Sequence, residues 1–330
     1  MRHYCTYFDS RYLSRGLVLH DSLRRVSGPF RLWVLCLDEA CYEALSALRP
    51  ESVVPLRLTE VEAADPEFHA CRANRSLVEY YFTATPVLLS YLFAANPDID
   101  IVTYLDADIG FFKDPEFLFD EFAEHAVQIV PHRYSKRNRA LAEWGFYNVG
   151  WVAFRRDADG LACLAWWRRS CIEWCYDRLE ADRFADQKYL DQFPQRFARV
   201  QIVTHPGVNA APWNLDTGTL RSTPDGELRF GEQPLIFFHF HKLRRVAPML
   251  WRTRLSDYGA ALDRPARALL YRPYIRRLAS TERRLRRQFP ALRPSPPLLR
   301  GGARRALWSG LRGALGGLLR RDTIVYPSLM

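Results

Sequence analysis

Two aspartates one residue apart, Asp106 and Asp108, lie at the end of an apolar run in the segment YLDADIGFF. Alternate residues of an extended segment point to the same side, so both carboxylates would face one ligand. Two such carboxylates repel each other and are costly to bury unless a cation compensates their charge. A hard cation such as Mg²⁺ or Mn²⁺, held by carboxylates together with substrate phosphates, is the simplest compensation. The pair predicts a metal–diphosphate site, and an ordinary turn with two solvated carboxylates is the alternative.

The segment PLIFFHFHK places His239 and His241 on one face of an apolar strand, with phenylalanines on the other. Imidazole binds Mn²⁺, so one of these histidines would complete a site that the two carboxylates begin. Lys242 follows directly, and an ammonium group at that place would meet a diphosphate. Two partly buried histidines bonded to backbone groups explain the same pattern, so the choice between the two histidines stays open.

Two further segments carry polar side chains in apolar surroundings. In FYNVGWVAF, Asn148 and Gly150 interrupt a predicted strand, where glycine often marks the close approach of a ligand. Asn148 would then bond sugar hydroxyls, and a simple bulge is the alternative. In FADQKYLDQF, Asp186 and Gln187 would contact hydroxyls or stabilise positive charge developing at a sugar carbon. A carboxylate at a helix N-terminus, with exposed neighbours, explains that segment equally well.

The elements that must position these residues alternate between strand and helix. The chain opens with a strand, a helix, a strand, a helix and a strand, in HYCTYFD, YLSRGLVLHDSLRRV, FRLWVLCLD, EACYEALSAL and SVVPLRL. Farther along we predict a helix in SLVEYYFTATPVLLSYLFAANP, one strand through DIVTYLDADIGFF, a loop in RYSKRNRALAEWG and a long helix in ADGLACLAWWRRSCIEWCYDRL. This order predicts a doubly wound α/β sheet, whose ligands bind beyond the carboxyl ends of the strands.

Charge divides the chain into two parts. The 330 residues carry a net charge of +10, and 48% of them are hydrophobic, which is enough for a substantial core. Residues 264–330 contain sixteen of the arginines and only two acids, so this part alone carries +14. We therefore predict a folded domain over residues 1–263 and an Arg-rich C-terminal extension, helical or disordered, over residues 264–330.

The arginines and leucines of the extension, with Trp308 among them, predict peripheral contact with anionic lipid or with a lipid-linked acceptor. A disordered basic tail is the alternative. Nucleic acid is a less favoured partner, because neither an aromatic-rich RNA-binding platform nor a zinc motif accompanies the arginines.

The cysteines and the N-terminus bear on location. Seven cysteines are scattered without a Cys-x-x-Cys pair, which predicts buried small hydrophobic residues in a reducing compartment. We identify neither a secretory h-region nor a run of about 18 apolar residues. We expect a cytoplasmic protein, peripheral at the inner face of the membrane if its basic tail binds lipid.

Taken in order, these segments resemble nucleotide-sugar glycosyltransferases of the GT-A fold, most of all the retaining family 8 enzymes and related nucleotide-diphospho-sugar transferases. The similarity runs from CTYFDSRYLSRGLVLHDSL through VTYLDADIGFFKDPEFLF, FYNVGWVAF and DQKYL to FFHFHK, roughly residues 3 to 250. It implies a Rossmann-like mixed sheet flanked by helices. It also implies metal-dependent transfer of a sugar, from a nucleotide-diphosphate donor of the uridine type, to a hydroxyl of a saccharide or lipid-linked acceptor. Bacterial envelope polysaccharide or lipopolysaccharide synthesis is the expected setting.

The resemblance also implies roles for individual residues. The nucleotide would contact Thr6, Tyr7, Asp9, Tyr12, Asp106 and Lys242. A Mn²⁺ or Mg²⁺ ion would be bound by Asp106, Asp108 and His239, with His241 as the alternative ligand. The donor sugar would contact Asn148, Gly150 and Asn209, and the catalytic residues near its reacting carbon would be Asp186 and Gln187.

This chain departs from the family pattern at two places. HFHKLRRV replaces the family's His-x-x-Gly…Lys-Pro-Trp ending, and EYYFTATP stands where an arginine usually precedes the acidic motif.

Two other functions compete with glycosyl transfer. A nucleotidyltransferase that synthesises sugar nucleotides would carry a Gly-rich basic loop after the first strand, where this chain has FDSRYLSRG. A non-catalytic nucleotide-sugar binding protein is the other alternative.

Overall fold

The computed structural model describes residues 1–247, 249–292 and 322–326. The described strands are β1 Arg2–Phe8, β2 Phe30–Cys36, β3 Val53–Arg57, β4 Ile101–Leu105, β5 Ile109–Phe111, β6 Val127–Pro131, β7 Tyr147–Arg155, β8 Val200–Ile202, β9 Leu220–Ser222, β10 Leu228–Phe230, β11 Gln233–Pro234, β12 Phe237–His239, β13 Arg244–Ala247, β14 Leu250–Arg252 and β15 Thr323–Val325. The described α-helices are α1 Leu13–Val26, α2 Glu39–Leu48, α3 Leu58–Ala64, α4 Pro66–Ala70, α5 Leu77–Ala95, α6 Glu116–Asp120, α7 Ala158–Glu173, α8 Phe193–Arg196 and α9 Arg272–Gln288.

A seven-stranded mixed sheet forms the centre of the fold, in the order β3-β2-β1-β4-β7-β6-β8. Four neighbouring pairs are parallel, and β7 runs antiparallel to both β4 and β6. Because β1 and β4 are parallel neighbours, their carboxyl ends lie at one edge of the sheet, and the beginning of the antiparallel β7 lies at the same edge. The predicted α/β architecture with a mixed sheet is confirmed.

Helices cover both faces of this sheet, because alternate strand residues point to opposite sides. In β1, Tyr4 and Phe8 enter a core with apolar residues of α1, whereas Cys5 enters a second core with α5 and α7. Helix α5 begins at a capping box, in which Ser76 and Glu79 each bond the other's backbone N–H. All seven cysteines are buried and free, as predicted.

Within the described residues, α5 is the one helix that is long and apolar enough to cross a membrane, yet 56% of its most apolar stretch is buried inside the fold. An apolar sequence together with this degree of burial is typical of a helix in the core of a folded domain.

Four local predictions differ from the structure. The strand expected through YLDADIGFF is two strands, β4 and β5, which the turn at residues 106–108 separates. The expected loop RYSKRNRALAEWG contains a 3-10 helix over Lys136–Trp144. The long helix α7 ends at Glu173, six residues before the predicted end. The acidic segment FADQKYLDQF forms a 3-10 helix only over Lys188–Gln192, so Asp186 and Gln187 precede it.

The described part of the C-terminal extension packs on the domain. Helix α9 lies against α1, and its buried face includes Tyr274, Ile275 and Leu278. Strand β15 joins β14 as the edge of a three-stranded sheet. Residues 293–321 of the extension, which include Trp308, lie outside the described residues.

Candidate active site

The pairing of β5 with β12 brings the predicted metal ligands together. These strands are antiparallel, with His239 opposite Ile109, so the imidazole lies next to the turn that carries the two aspartates. The backbone N–H of Phe240 donates to the carbonyl of Asp108 at 2.9 Å, and that of Asp106 donates to the carbonyl of Gly150 at 3.3 Å. These bonds fix the turn between the central sheet and the short two-stranded sheet.

Asp106, Asp108 and His239 form a compact carboxylate–imidazole cluster. Their ligand atoms all lie within 4.8 Å of one another. Nε2 of His239 lies 3.0 Å from Oδ1 of Asp108 and 3.6 Å from Oδ2 of Asp106. The hydroxyl of Tyr104 donates to Oδ1 of Asp106 at 3.0 Å. Three potential ligands therefore converge on one point, as the sequence predicts.

The electrostatics of the cluster show competition between burial and charge. Burial raises the pKa of Asp106, and the neighbouring Asp108 raises it further. Burial also opposes ionisation of Asp108, but the charge and hydrogen bond of His239 outweigh burial and hold the pKa of Asp108 well below its usual range. In turn, burial lowers the pKa of His239, but Asp108 and Asp106 outweigh that effect, so its pKa is raised.

The cluster fits a divalent cation. Two carboxylates and one imidazole are a donor set that suits Mn²⁺, and the carboxylates suit Mg²⁺. A bound cation would favour the ionised form of both aspartates, and at Asp106 it would offset the burial and the repulsion from Asp108 that raise the pKa. A histidine that binds a metal through one ring nitrogen usually donates the N–H of the other to a carboxylate, a carbonyl or water. In His239 that other nitrogen, Nδ1, is buried and has no hydrogen-bond partner among the described residues.

The structure distinguishes the two histidines that the sequence left open. Both imidazoles pack edge-on against Trp213, with ring centroids 5.2 Å away for His239 and 5.3 Å away for His241, but His239 is the one that lies in the cluster. Burial, followed by the charge of His239, lowers the pKa of His241 to about 3. His239 is the histidine placed to bind a metal, and His241 lines the cleft beside it.

The Asn-x-Gly segment forms a bulge at the edge of the cluster. Val152 pairs with Ile129, but the next residue along β6, Val130, pairs with Asn148, so the three residues 149–151 bulge from the ladder. Oδ1 of Asn148 accepts from the backbone N–H of Gly150 at 3.1 Å. A Cβ atom on residue 150 would lie 2.5 Å from that oxygen and 3.0 Å from Nδ1 of His239. Glycine is therefore required by close packing against two predicted site residues.

The amide of Asn148 is engaged in hydrogen bonds on both sides. Its Nδ2 donates to Oε1 of Gln187 at 3.1 Å and to Nε2 of His132 at 3.3 Å. The other ring nitrogen of His132 faces the carbonyl of Phe146 at 3.2 Å, and burial lowers the pKa of His132 to about 3, so this imidazole is neutral. Nε2 of Gln187 donates to the carbonyl of Trp144 at 3.2 Å. Asn148 thus orients Gln187.

Asp186 lies in a separate hydrogen-bond chain. The hydroxyl of Thr85 donates to Oδ2 of Asp186 at 2.7 Å and lies 3.2 Å from the hydroxyl of Tyr7. The indole of Trp167 donates to the backbone carbonyl of Asp186 at 2.9 Å. Burial, with a contribution from the charge of Asp106, raises the pKa of Asp186 to about 7, although the bond from Thr85 opposes the increase.

One cleft of about 620 Å³ connects these groups. The predicted site residues that line it are Tyr7, Asp106, Asn148, Asp186, Gln187, His239, His241 and Lys242. Other lining residues that the sequence did not single out are Phe82, His132, Tyr134, Leu141, Trp144, Val149, Asp177, Phe184, Ala185, Trp213, Asp257 and Tyr258. Apolar rings and polar groups therefore alternate around the cleft, as is common in ligand sites.

Other predicted nucleotide residues lie near the cleft without lining it. The hydroxyl of Tyr12 donates to Oδ2 of Asp108 at 3.4 Å. Asp9 accepts from Arg11 at 2.7 Å and from the backbone N–H of Tyr12 at 3.1 Å. Thr6 is fully buried, and its hydroxyl has no partner among the described residues. Their roles toward a nucleotide remain predictions.

Asn209, which was predicted to contact the donor sugar, is fully buried and is not among the residues that line the cleft. Its Nδ2 donates to the carbonyl of Pro131 at 3.3 Å, and its backbone has the left-handed conformation, with φ of 59°. Oδ1 of Asn209 has no hydrogen-bond partner among the described residues. Contact between Asn209 and a sugar also stays a prediction.

Comparison with known proteins identifies relatives and a fold. The uncharacterized protein YfnF of Bacillus subtilis (strain 168) is 32% identical over 253 residues, which cover 74% of this chain and 82% of YfnF. The uncharacterized protein YfnD of the same strain is 28% identical over 295 residues, covering 87% of this chain and 92% of YfnD. No protein-family model matches the chain.

Among solved structures, the galactosyltransferase LgtC in complex with donor and acceptor sugar analogues matches with a TM-score of 0.51 at 16% identity. The match covers 84% of this chain and 95% of that one. An active-site mutant of LgtC matches with a TM-score of 0.50 over the same shares. At this identity the similarity shows the fold, and the GT-A fold predicted from the sequence is confirmed.

Proposed function

The chain belongs to the family of YfnF, and from that premise, together with its GT-A fold, we propose that it transfers a sugar from a nucleotide-diphosphate donor to a hydroxyl acceptor. The observation that carries the proposal is the cluster of Asp106, Asp108 and His239 at the edge of the 620 Å³ cleft. The cluster lies beyond the carboxyl end of β4, where open α/β sheets bind their ligands.

Asp106, Asp108 and His239 would hold Mn²⁺ or Mg²⁺, which supplies positive charge to a departing diphosphate. Lys242, whose ammonium group lies over the ring of Tyr258 at 5.4 Å, lines the same cleft and would add a second positive charge. Tyr7, near the end of β1, lines the cleft and would contact the nucleotide, for which we propose a uridine base.

Asp186 and Gln187 act at the donor sugar in this proposal. Gln187 is oriented by Asn148 on one side and by the carbonyl of Trp144 on the other, so its amide is fixed before substrate binds. Asp186 is held by Thr85 and is ionised in a substantial fraction of molecules near pH 7, because its pKa is about 7. The ionised carboxylate would accept hydrogen bonds from sugar hydroxyls or stabilise positive charge at the reacting carbon.

We further propose a cytoplasmic enzyme that is peripheral at the inner face of the membrane and acts on a saccharide or lipid-linked acceptor in envelope polysaccharide synthesis. The exposed surface of α9 supports the membrane contact, since Arg276, Arg277, Arg284 and Arg287 are all exposed there. Clusters of arginine on an amphipathic helix are attracted to anionic lipid.

The experiment is a turnover assay with a panel of nucleotide sugars and Mn²⁺, in which release of nucleoside diphosphate is measured with and without methyl glycosides as acceptors. We expect release from at least one donor, and loss of most of that release in Asp108→Asn. The exposed Asp216 offers a matched control, Asp216→Asn. Release of pyrophosphate from a nucleoside triphosphate and a sugar phosphate, without diphosphate release from any donor, would instead identify a nucleotidyltransferase.

A further inference from the structure

Exposed aromatic side chains are concentrated at one place in the described structure. Trp144 is 36% exposed and Phe146 is 52% exposed, and no other tryptophan, phenylalanine or tyrosine among the described residues is classed as exposed. The chain otherwise buries its rings in the cores, so this exposure is not a general property of its surface. Exposed apolar groups that cluster commonly mark a binding surface.

Trp144 belongs to a larger apolar rim of the cleft. The rings of Trp144 and Phe184 meet edge to face, with centroids 4.8 Å apart, and both line the cleft. Phe82, on helix α5, lines the same cleft and is partly buried. We call Phe82, Trp144 and Phe184 the aromatic lip; Phe146, the second exposed ring, follows Trp144 in the chain but does not line the cleft.

The backbone holds the lip against the proposed reaction centre. Gly145, between the two exposed rings, has φ of 131°, a conformation that residues with a side chain rarely adopt, and a Cβ there would lie 3.3 Å from the side chain of Gln187. The carbonyl of Trp144 accepts from Gln187, and the backbone N–H of Phe146 donates to Asp191 at 2.8 Å. The lip is therefore tied to the amide that faces the donor sugar.

Polar groups interrupt the rings of the lip. Asp177, Asp186 and Gln187 line the cleft beside Phe82, Trp144 and Phe184. A pyranose ring matches this mixture, because its C–H face is apolar and its hydroxyl edge forms hydrogen bonds. A hydrocarbon chain would remove water from the carboxylate of Asp177 and from the remaining hydrogen-bonding capacity of Asp186 and Gln187, which is costly in a dry contact.

We propose that the aromatic lip binds the pyranose ring of the acceptor, stacking it on Trp144 so that its hydroxyl edge faces Gln187 and Asp186. The assignment of this ring as the acceptor rests on the proposed function, whereas the binding of a saccharide at the lip does not. The two can therefore be tested separately.

The test is saturation-transfer NMR of methyl hexosides and of maltose with the full-length chain, which requires no turnover. We expect signal with the wild-type protein, loss of most of it in Trp144→Ala, and recovery in Trp144→Phe, which keeps an aromatic face. Leu161→Ala is the matched control, because Leu161 is 39% exposed on α7 and does not line the cleft. Where transfer is measured, the acceptor KM should rise by about tenfold in Trp144→Ala, with a smaller change in the donor KM.

Three results would overturn the proposal. The first is wild-type signal in Trp144→Ala, or an equal loss in Leu161→Ala. The second is an absence of signal from every saccharide, with and without nucleoside diphosphate. The third emerges when dodecyl glycosides are measured beside the methyl hexosides: a loss in Trp144→Ala that is confined to the dodecyl compounds would show that the lip binds hydrocarbon. If saccharides bind at the lip and no nucleotide sugar is turned over, the proposed function fails and the saccharide site stands.

Discussion

The carboxyl group of Asp186 shows how burial sets the chemistry of one residue. Its side chain is almost completely buried and accepts a hydrogen bond from Thr85, which is itself fully buried on α5. Burial disfavours the charged form, and the charge of Asp106 adds to that effect, so the pKa rises from 3.8 to about 7. A group with this pKa is divided between its two protonation states at neutral pH.

Replacing Asp186 by asparagine should therefore stabilise the protein at high pH. The stabilisation from the protonated carboxyl is complete below the unfolded pKa of 3.8 and is lost as pH rises through the folded pKa of about 7. The amide of asparagine does not titrate, so its contribution to the free energy of unfolding does not change over this pH range. We expect the advantage of Asp186→Asn in free energy of unfolding to grow by roughly 2 kcal/mol between pH 5 and pH 8.

Urea unfolding of both proteins at the two pH values measures this difference. The same comparison with the exposed Asp216→Asn controls for the loss of one charge. An advantage of Asp186→Asn that is equal at both pH values, or that is larger at pH 5, would show that Asp186 does not carry the burial cost assigned to it.

Among individual residues, the sequence predicts those whose type is itself the signal. Asp106 and Asp108 are metal-ligand types, and the sequence grouped them with one of the two histidines, His239 or His241. Thr85 and Trp144 could not be predicted, because a threonine in an apolar helix and a tryptophan in a basic loop acquire their roles only from tertiary neighbours. The choice between His239 and His241 likewise depends on the register of β12 against β5.

At the scale of elements, the bulge in β7 joins two parts of the site. It turns Asn148 toward Gln187 and His132, and it brings Gly150 against His239. The sequence predicted either a bulge or the close approach of a ligand at this glycine. The structure contains the bulge, and the groups that lie close to Gly150 are the side chains of Asn148 and His239, so contact with a ligand stays a prediction. The packing leaves no room for a methyl group at residue 150.

Gly150→Ala should damage the site and the fold together. The added methyl group would displace Oδ1 of Asn148 or the ring of His239, and overpacking of this kind typically costs about 1–3 kcal/mol. We expect a lower midpoint of thermal unfolding and a weaker response of that midpoint to Mn²⁺ than in the wild type.

Gly28→Ala is the matched control, because a Cβ atom on residue 28 has no neighbour within 4 Å. Thermal unfolding of both variants, with and without Mn²⁺, makes the comparison. Equal stability and equal Mn²⁺ response in the two variants would show that the bulge does not constrain the cluster.

The sequence predicts strands and helices well where the apolar period is regular, and less well where tertiary contacts end an element. Strand β4 stops at Leu105 because Asp106 turns to meet the carbonyl of Gly150, and β5 then pairs with β12 outside the central sheet. Neither the hydrogen bond between Asp106 and Gly150 nor the pairing of β5 with β12 could be predicted from the apolar run of YLDADIGFF. The order of strands and helices was predictable because each βα unit has its own hydrophobic periodicity.

On the scale of the whole molecule, the Arg-rich extension contributes to the core. Leu270, Tyr271 and Tyr274 are buried in a cluster with Phe240 and Trp251. The ring of Tyr274 stacks on that of Phe240 with centroids 3.6 Å apart. A count of arginines cannot show this, because the apolar face of α9 is evident only once α1 is placed beside it. The division after residue 263 stays a prediction, and these contacts give a way to test it.

A chain that ends after residue 292 should fold, whereas one that ends after residue 263 should not. The shorter chain loses at least five large buried side chains, each contributing about 1.5–3 kcal/mol, which together approach the entire stability of a typical domain. Of the described structure, the longer chain loses residues 322–326, which include β15 with Ile324 and the bonds of Asp322 to Arg252, Thr253 and Ser256. Solubility and the cooperativity of thermal unfolding distinguish the two chains.

A chain of 263 residues that unfolds cooperatively at the wild-type temperature would contradict this account and support the division after residue 263.

If the chain of 292 residues folds, it is also the right comparison for membrane binding. Flotation with anionic vesicles then separates the arginines of α9 from those beyond residue 292 without unfolding the domain.

The most direct test of the central claim is calorimetric titration of uridine diphosphate into the wild-type protein and Asp108→Asn, with Mn²⁺ and with a chelator. If Asp106, Asp108 and His239 hold a metal–nucleotide complex, wild-type affinity should fall by at least about tenfold on chelation. Asp108→Asn should bind as weakly with Mn²⁺ as the wild type does without it. Equal affinity in all four titrations, or no binding of the nucleotide in any of them, would contradict the claim.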